Sequence, residues 1–438
     1  MDEVDTPPQM SGYLDRRGMF GFWARHKCTL KNNIFKIMKD DITELEVRID
    51  ATAKITLFDQ NSPRFIIEIE GQEPIQLRAS DNERAMAWVL ALRSCSFEHP
   101  LLSIDSFHLI TNIGRGFYGK VALAQKIDTG EYFAIKSIHK HRLIKSNKVH
   151  TVLTERNILS QASHPFIVSL FYAFQTKSKF YLVLEYVPGG ALFFRMQQNK
   201  NGLPIDDVKL YTAEIALSLK HLHSLGIIYR DLKPENVLLD ANGHVKLTDF
   251  GLSKVLHSDQ LTSTFCGTDE YLSPEIVSHS SYGIAVDWWT LGILLYEMLY
   301  GKTPFYCQNN SQMFKRILES DVPFPSGGNP DAEDLILGLL DKSSATRFGF
   351  EHVKNHKFFE GLNFDDVFER RTKPNYIPPE KDPASFTNFE KEFIYGTPVD
   401  STSVIGSVGQ IKGFSFDASG ALTVSSTCDT CLADFQVF

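Results

Sequence analysis

The sequence predicts a multidomain chain in which an all-β barrel with a C-terminal helix precedes a larger α+β unit of two lobes and an extended tail. Short β-prone segments separated by polar turns come first, and apolar residues then recur at helical spacing from Asp81 to Arg93. Further strand-like segments lead into long helical stretches, of which 206–225 and 286–296 are the clearest. From Phe359 on, prolines break the helical pattern.

Composition is typical of a globular protein. At 438 residues the chain has room for two or three domains, and its hydrophobic content is 43% with 22% charged residues. The net charge of -8 provides no general attraction to nucleic acid. No apolar run reaches the roughly 18 residues that span a bilayer, and the start, Met1 to Asp5, is acidic where a secretory signal would be basic. We expect a cytoplasmic monomer that binds no nucleic acid.

Residues 8–98 combine a meander of short strands with one closing helix that carries Trp88. Gly12-Tyr13-Leu14 opens the meander, Trp23 follows the first turn, and either Asp81 or Ser80 can cap the helix. In these features the segment resembles a pleckstrin homology domain. The resemblance implies a β-barrel closed by a C-terminal helix.

Basic residues flank the first predicted turn of this unit, between Gly18 and Trp23. In pleckstrin homology domains the first hairpin binds phosphoinositide headgroups, which implies this role for Arg16, Arg17 and Arg25 and recruitment to the plasma membrane. His26 stands where lipid-binding members usually carry Arg, a departure that bears on selectivity among phosphoinositides. The alternatives are a solvated basic surface and a surface that binds a protein.

After a short linker, residues 99–106, a glycine-rich segment lies between two strand-like runs. A strand rather than a helix follows the glycines, which disfavours a Rossmann unit and is typical of the hairpin that covers ATP in protein kinases. This resemblance implies that the nucleotide is bound by Ile113, Gly114, Arg115, Gly116, Phe117, Tyr118, Gly119, Lys120, Val121 and Ala134. Lys136 is expected to bind the α and β phosphates, and Glu155 to hold that lysine in place.

The segment from Tyr229 to Asn236, followed by Asp249-Phe250-Gly251, is similar to the catalytic and metal-binding loops of protein kinases. Asp231 can accept the proton of an incoming hydroxyl, and Lys233 can neutralise charge on the transferred phosphoryl group. Asn236 and Asp249 offer oxygen ligands to Mg²⁺. Either motif alone can occur by chance, but their combined order and spacing indicate a kinase that uses ATP and Mg²⁺.

Three further features fit the same bilobal fold. A buried strand leads to a hinge where the backbone groups of Glu185 and Val187 are expected to hold adenine. Asp287 lies in a helix that is apolar nearly all round, where an unpaired carboxylate would be costly, and the resemblance implies that it braces the backbone of the catalytic loop. Glu275 is expected to pair with Arg347.

The segment Thr264-Phe265-Cys266-Gly267-Thr268 resembles the activation segment of the AGC group of serine/threonine kinases. Thr264 is therefore the expected target of an upstream activating kinase, and its phosphate would pair with Arg230. Ala191 stands where basophilic relatives carry Glu, whereas Glu235 and Glu297 remain as acidic candidates. We expect protein substrates whose Ser or Thr has basic residues upstream.

The tail, residues 359–417, contains two further motifs of this group. Thr397 precedes a proline as in the turn-motif site, and Phe414-Ser415-Phe416 resembles the hydrophobic motif whose aromatic residues dock beside the Glu155 helix. Thr397 and Ser415 are expected phosphorylation sites. The alternative is a disordered tail with stray aromatic residues, and residues 418–438 are expected to be disordered.

The order of the segments 8–98, 107–358 and 359–417 is similar to that of the protein kinase B (Akt) family. The resemblance implies transfer of the ATP γ-phosphoryl group to Ser or Thr, recruitment by phosphoinositides, and activation through Thr264 and Ser415. Two alternatives stay open: an active cytosolic kinase whose first domain binds a protein, and a catalytically silent scaffold that binds lipid and nucleotide.

Overall fold

The computed structural model describes residues 10–18, 21–31, 34–40, 42–49, 53–57, 63–69, 71–82, 84–85, 88–89, 91–92, 102–115, 119–146, 148–176, 178–256, 261–379 and 414–417. The chain divides into two compact units between Ser106 and Phe107. Within the described residues, no helix combines the length and the apolar character needed to cross a bilayer.

One antiparallel sheet forms most of the first unit. Its strands are β1 (Met10–Arg17), β2 (Trp23–Lys31), β3 (Ile34–Lys39), β4 (Ile42–Arg48), β5 (Lys54–Leu57), β6 (Arg64–Glu68) and β7 (Ile75–Arg78). Their order across the sheet is β4-β3-β2-β1-β7-β6-β5. The helical residues between 82 and 92 form α1, and Asp81 caps it by accepting a hydrogen bond from the Arg84 backbone N–H at 2.7 Å. Trp88 on α1 packs edge-on against Phe35, with ring centroids 5.8 Å apart.

The second unit has a strand-rich lobe and a helical lobe. Its strands are β8 (Phe107–Arg115), β9 (Gly119–Lys126), β10 (Tyr132–His139), β11 (Leu170–Gln175), β12 (Lys179–Glu185), β13 (Ile227–Ile228), β14 (Val237–Leu239), β15 (Val245–Leu247), β16 (Lys254–Val255) and β17 (Phe416–Asp417). The sheet of the small lobe has the order β17-β11-β12-β10-β9-β8, so the tail supplies an edge strand. The short ribbons β13-β16 and β14-β15 support the loops of the large lobe.

The helices of the second unit are α2 (Lys140–Lys145), α3 (Val149–Gln161), α4 (Leu192–Gln198), α5 (Ile205–Ser224), α6 (Pro274–Val277), α7 (Ala285–Tyr300), α8 (Asn310–Glu319), α9 (Pro330–Leu339), α10 (Phe350–Lys354) and α11 (Phe364–Phe368). Nearly every side chain of α7 is buried, as its apolar sequence predicted. Gly301 ends α7 in the left-handed conformation, with φ 72°. A β-rich first unit followed by a two-lobed α+β unit confirms the predicted fold class.

Candidate active site

Lys136 on β10 connects the two lobes across the cleft between them. Its Nζ lies 2.6 Å from Glu155 Oε1 on α3 and 3.0 Å from Asp249 Oδ1. Burial alone would lower the pKa of Lys136, but the two carboxylates outweigh that effect and raise it. The lysine in turn lowers the pKa of Asp249. The predicted Lys136–Glu155 pair is thus present, and the lysine stays charged.

The catalytic loop brings Asp231, Lys233 and Asn236 together. Lys233 Nζ lies 3.0 Å from both carboxylate oxygens of Asp231, and Asn236 Nδ2 donates to Asp231 Oδ2 at 2.7 Å. Burial raises the pKa of Asp231, while Lys233 and Asn236 oppose that rise. Lys233 Nζ also donates to Thr268 Oγ1 at 3.1 Å, a contact that sequence reasoning missed.

Asp287 fixes the backbone that precedes Asp231. Its carboxylate accepts hydrogen bonds from the backbone N–H of Tyr229 at 2.9 Å and of Arg230 at 2.8 Å, and His223 Nε2 lies 2.7 Å from Oδ2. The carboxylate is fully buried, and Arg230 has a φ of 68° that these bonds help to hold. The predicted bracing role of Asp287 is confirmed.

The glycine-rich hairpin is built for close backbone approach at Gly119. A Cβ atom there would lie 1.8 Å from the Ser137 carbonyl oxygen, so no side chain fits without moving β9 or β10. Gly114 pairs with Val121 across this hairpin, and Arg115 pairs with Lys120. The predicted nucleotide residues Gly116, Phe117 and Tyr118 lie outside the described residues, whereas Ile113 and Val121 are partly buried and Ala134 is buried.

The hinge residues follow β12. The Glu185 carboxylate accepts from Lys246 Nζ at 2.9 Å and from the Ser169 backbone N–H at 3.2 Å. Val187 is buried, and Leu184 pairs with Ala134 on β10. The Glu185 backbone N–H donates to the Ser169 carbonyl oxygen at 2.9 Å. The expected contact of the Glu185 and Val187 backbone with adenine stays a prediction.

Comparison with known proteins identifies this arrangement. A family model described as "Protein kinase domain" matches residues 107–359. The chain belongs to the protein kinase family. It is 44% identical to the serine/threonine-protein kinase Sgk2 of Mus musculus over 324 residues, which cover 71% of this chain and 88% of Sgk2.

Kinases from two further organisms are similar to this chain. The serine/threonine-protein kinase YPK1 of Saccharomyces cerevisiae is 42% identical over 304 residues, 68% of this chain and 45% of YPK1. The RAC family serine/threonine-protein kinase homolog of Dictyostelium discoideum is 42% identical over 300 residues, 68% of this chain and 67% of that protein. The chain is therefore a serine/threonine protein kinase with a kinase domain of the AGC type, as its motifs predicted.

The activation segment of the kinase places Thr264 near two cations. Tyr282 Oη donates to the Thr264 carbonyl oxygen at 2.6 Å and accepts from Arg230 at 3.2 Å. Lys254 Nζ donates to Thr262 Oγ1 at 3.0 Å, and that hydroxyl lies 3.4 Å from Thr264 Oγ1. Sequence reasoning found Thr264 and Arg230 but missed Lys254 and Tyr282, which carry no motif of their own.

An acidic group lies on the large lobe of the kinase. Glu297 accepts a hydrogen bond from Tyr271 Oη, and burial raises the pKa of Glu297 to about 7. The Tyr271 bond opposes this rise, whereas the charges of Glu235 and Glu270 add to it.

Glu275, on α6, forms the predicted pair with Arg347 through two contacts of 2.6 and 2.9 Å.

The kinase tail docks on the small lobe. Phe414 is fully buried, and its ring centroid lies 4.5 Å from that of Phe180. Arg156, which follows Glu155 on α3, lies over the Phe414 ring at 6.0 Å. The predicted docking of these aromatic residues is confirmed, and Ser415 between them is exposed. Thr397 lies outside the described residues.

The three predicted lipid ligands of the first unit do not share one face. Arg16 lies 4.0 Å from Glu44, which also contacts His26 at 3.1 Å. Arg17 donates to Gln76 at 2.9 Å, and Arg25 lies over the Tyr13 ring at 4.9 Å. Strand alternation thus separates Arg16 from Arg17 and Arg25.

Proposed function

We propose that this kinase transfers the γ-phosphoryl group of ATP to Ser or Thr hydroxyls of proteins with the aid of Mg²⁺. The observation that carries the proposal is that Lys136 of the small lobe contacts Asp249 of the large lobe, where Asp231, Lys233 and Asn236 are grouped. Asn236 donates its amide N–H to Asp231, which leaves its carbonyl oxygen as a ligand, and about half of the Asp249 side chain is exposed. These are the hard oxygen donors that Mg²⁺ prefers.

Each residue has one task in this proposal. Bound ATP would supply the phosphoryl group, with Mg²⁺ held by Asn236 and Asp249 to neutralise its charge. Lys136, held by Glu155, positions the phosphates. Asp231 accepts the proton of the substrate hydroxyl, and its raised pKa makes it a better acceptor than an exposed carboxylate. Lys233 contacts both Asp231 and Thr268, and its positive charge would stabilise the transferred group beside Asp231.

Substitution of Asp231 tests these roles. Asp231→Asn should lower kcat at least about 100-fold, because general base catalysis is lost, while ATP still binds. Asp128→Asn is the matched control, because this carboxylate is exposed in the turn after β9. A catalytically silent scaffold predicts no phosphoryl transfer by the wild-type protein. If instead Asp231→Asn turned over as fast as the wild type, Asp231 would not be the general base.

The proposal includes activation by phosphorylation of Thr264 and Ser415 by upstream kinases. A phosphate on Thr264 adds about two negative charges. Arg230 is connected to the carbonyl oxygen of this exposed residue through Tyr282 Oη, and Lys254 is connected to its hydroxyl through Thr262 Oγ1. Thr264→Ala cannot be phosphorylated at this position and should therefore retain little kinase activity. The activity of Ser263→Ala, in the same exposed segment, should stay near that of the wild type. Equal activity of the two variants would refute the role of Thr264.

We further propose that the first unit is a pleckstrin homology domain that recruits the cytoplasmic kinase to membrane phosphoinositides, as in the protein kinase B family. The supports are the seven-stranded sheet closed by a helix and the basic residues of the first hairpin. Arg16→Ala with Arg17→Ala should reduce flotation of the kinase with phosphoinositide vesicles. Unchanged binding of this double variant, or no binding by the wild type, would count against recruitment through these residues.

A further inference from the structure

The β1–β2 hairpin of the first unit has two faces with different chemistry. The inner face carries Leu14, Arg16 and His26, of which Leu14 and His26 are buried. Glu44 lies against both Arg16 and His26 there. An anion that entered from this side would compete with a carboxylate already in place, which weakens the inner face as an anion site.

The outer face has an excess of cations. Strand pairing places Tyr13, Asp15 and Arg17 of β1 on the same side as Trp23 and Arg25 of β2. Arg78 of β7 joins them, because it pairs with Asp15 across the sheet and donates to its carboxylate at 2.7 Å. Three guanidinium groups thus accompany the single carboxylate of Asp15. Such a surface attracts an anionic lipid layer.

Aromatic rings lie among these cations. Arg25 lies 4.9 Å from the centroid of Tyr13, and Arg78 lies 4.8 Å from that of Trp23. Tyr13 is 60% exposed, and Phe22, directly before β2, is 80% exposed. Two backbone hydrogen bonds hold the turn: Gly18 N–H donates to the Phe22 carbonyl oxygen, and Gly21 N–H donates to that of Gly18, both at 2.9 Å. The fold therefore presents an apolar ring beside cations, the combination that favours the bilayer interface.

We propose that the outer face of the β1–β2 hairpin, defined by Tyr13, Arg17, Phe22, Trp23, Arg25 and Arg78, binds the surface of anionic membranes. Arg17 and Arg25 contact lipid phosphates, and Phe22 enters the headgroup layer. The inference rests on the proposed membrane recruitment and assigns the face through which it occurs. The occupant is a lipid bilayer, because a soluble anion would make no use of the exposed aromatic rings.

Charge-matched variants separate the two faces. The full chain is co-sedimented with phosphatidylcholine vesicles that contain about 30% phosphatidylserine, with and without a phosphoinositide. Arg25→Gln should weaken binding about fivefold, and Phe22→Ser about tenfold. The inner-face variant Arg16→Gln tests that face. The control variants are Arg84→Gln, which removes the same charge from the exposed start of α1, and Ile42→Ser, which removes another exposed apolar side chain; both should bind like the wild type.

Native tryptophan fluorescence provides an independent measurement. Of the four tryptophans, Trp88, Trp288 and Trp289 are buried, so quenching by brominated lipid reports on Trp23. We expect quenching in the wild type and its loss in vesicle-bound Trp23→Phe, because the remaining tryptophans are buried.

Three results would overturn the inference in distinguishable ways. If Arg16→Gln weakens binding while Arg25→Gln and Phe22→Ser do not, the membrane is bound through the inner face, and recruitment itself stands. If the wild-type kinase binds no vesicle of either composition, recruitment and the outer-face site fail together. Vesicle binding without quenching of Trp23 also excludes the outer face.

Discussion

Glu297 should make the selection of basic substrates depend on pH. This carboxylate is one of the acidic candidates for an upstream arginine. Burial raises its pKa to about 7, with a smaller contribution from the charges of Glu235 and Glu270 and with the Tyr271 hydrogen bond opposing the rise. A carboxylate with a raised pKa is neutral below that value and charged above it. The attraction for an arginine should therefore be weak in mild acid and should strengthen as the pH rises through neutrality.

The magnitude follows from the fraction of Glu297 that is ionised. With a pKa of about 7, roughly 10% of the carboxyl is charged at pH 6 and roughly 90% at pH 8. If only the charged form attracts the arginine, the preference for a basic peptide should rise up to about ninefold across this range, which is about 1.3 kcal/mol. Substitution of Glu235 by Gln removes a charge that raises the pKa of Glu297, so the midpoint should move to lower pH.

The assay is the ratio of kcat/KM for two peptides that differ only by Arg or Leu upstream of the target Ser. Effects of pH on Asp231 and on ATP cancel in this ratio, because both peptides share them. Glu297→Gln should give a ratio that does not change with pH, and Glu319→Gln, at an exposed position on α8, is the control. A wild-type ratio that stays constant from pH 6 to 8, or a pH-dependent ratio in Glu297→Gln, would refute the reasoning.

Three substitutions test packing around the site. Phe414→Ala should release the tail, because deletion of a buried Phe costs about 3–5 kcal/mol, and tail amides that stay protected from hydrogen exchange would contradict this. Gly119→Ala should raise the KM for ATP at least about tenfold and lower the Tm, since its Cβ would overlap the Ser137 carbonyl and force β9 or β10 to move; an unchanged KM would argue against the close approach. Arg347→Ala should lower stability by about 3–5 kcal/mol because it leaves Glu275 without its partner, and removal of both side chains should recover part of the Tm.

Local motifs made much of the kinase site predictable from sequence. Asp231, Lys233 and Asn236 lie on one short loop, so their order alone indicates their grouping. Thr268 was missed because it meets Lys233 from 35 positions away in the chain. Tyr282 joins Arg230 across 52 positions, and no local pattern carries that information.

The first unit shows a different limit of sequence reasoning. Clustering in sequence suggested one group of basic residues, yet successive side chains of a strand point to opposite faces, which separates Arg16 from Arg17. That separation follows from periodicity alone. The contacts of Glu44 with Arg16 and His26 do not follow from periodicity. They depend on the strand order of the folded sheet, in which only β3 lies between β4 and β2.

Helix α3 links the tail to the catalytic lysine. Glu155 turns toward the cleft and holds Lys136, while the next residue, Arg156, lies over the buried ring of Phe414. Successive residues of a helix differ by about 100° in direction, so α3 serves both contacts at once. A tail that leaves the small lobe removes a support from the helix that positions Glu155. We therefore expect phosphorylation of the exposed Ser415 to change the geometry at Lys136 without a direct contact, provided that the phosphate favours the docked tail over the released one.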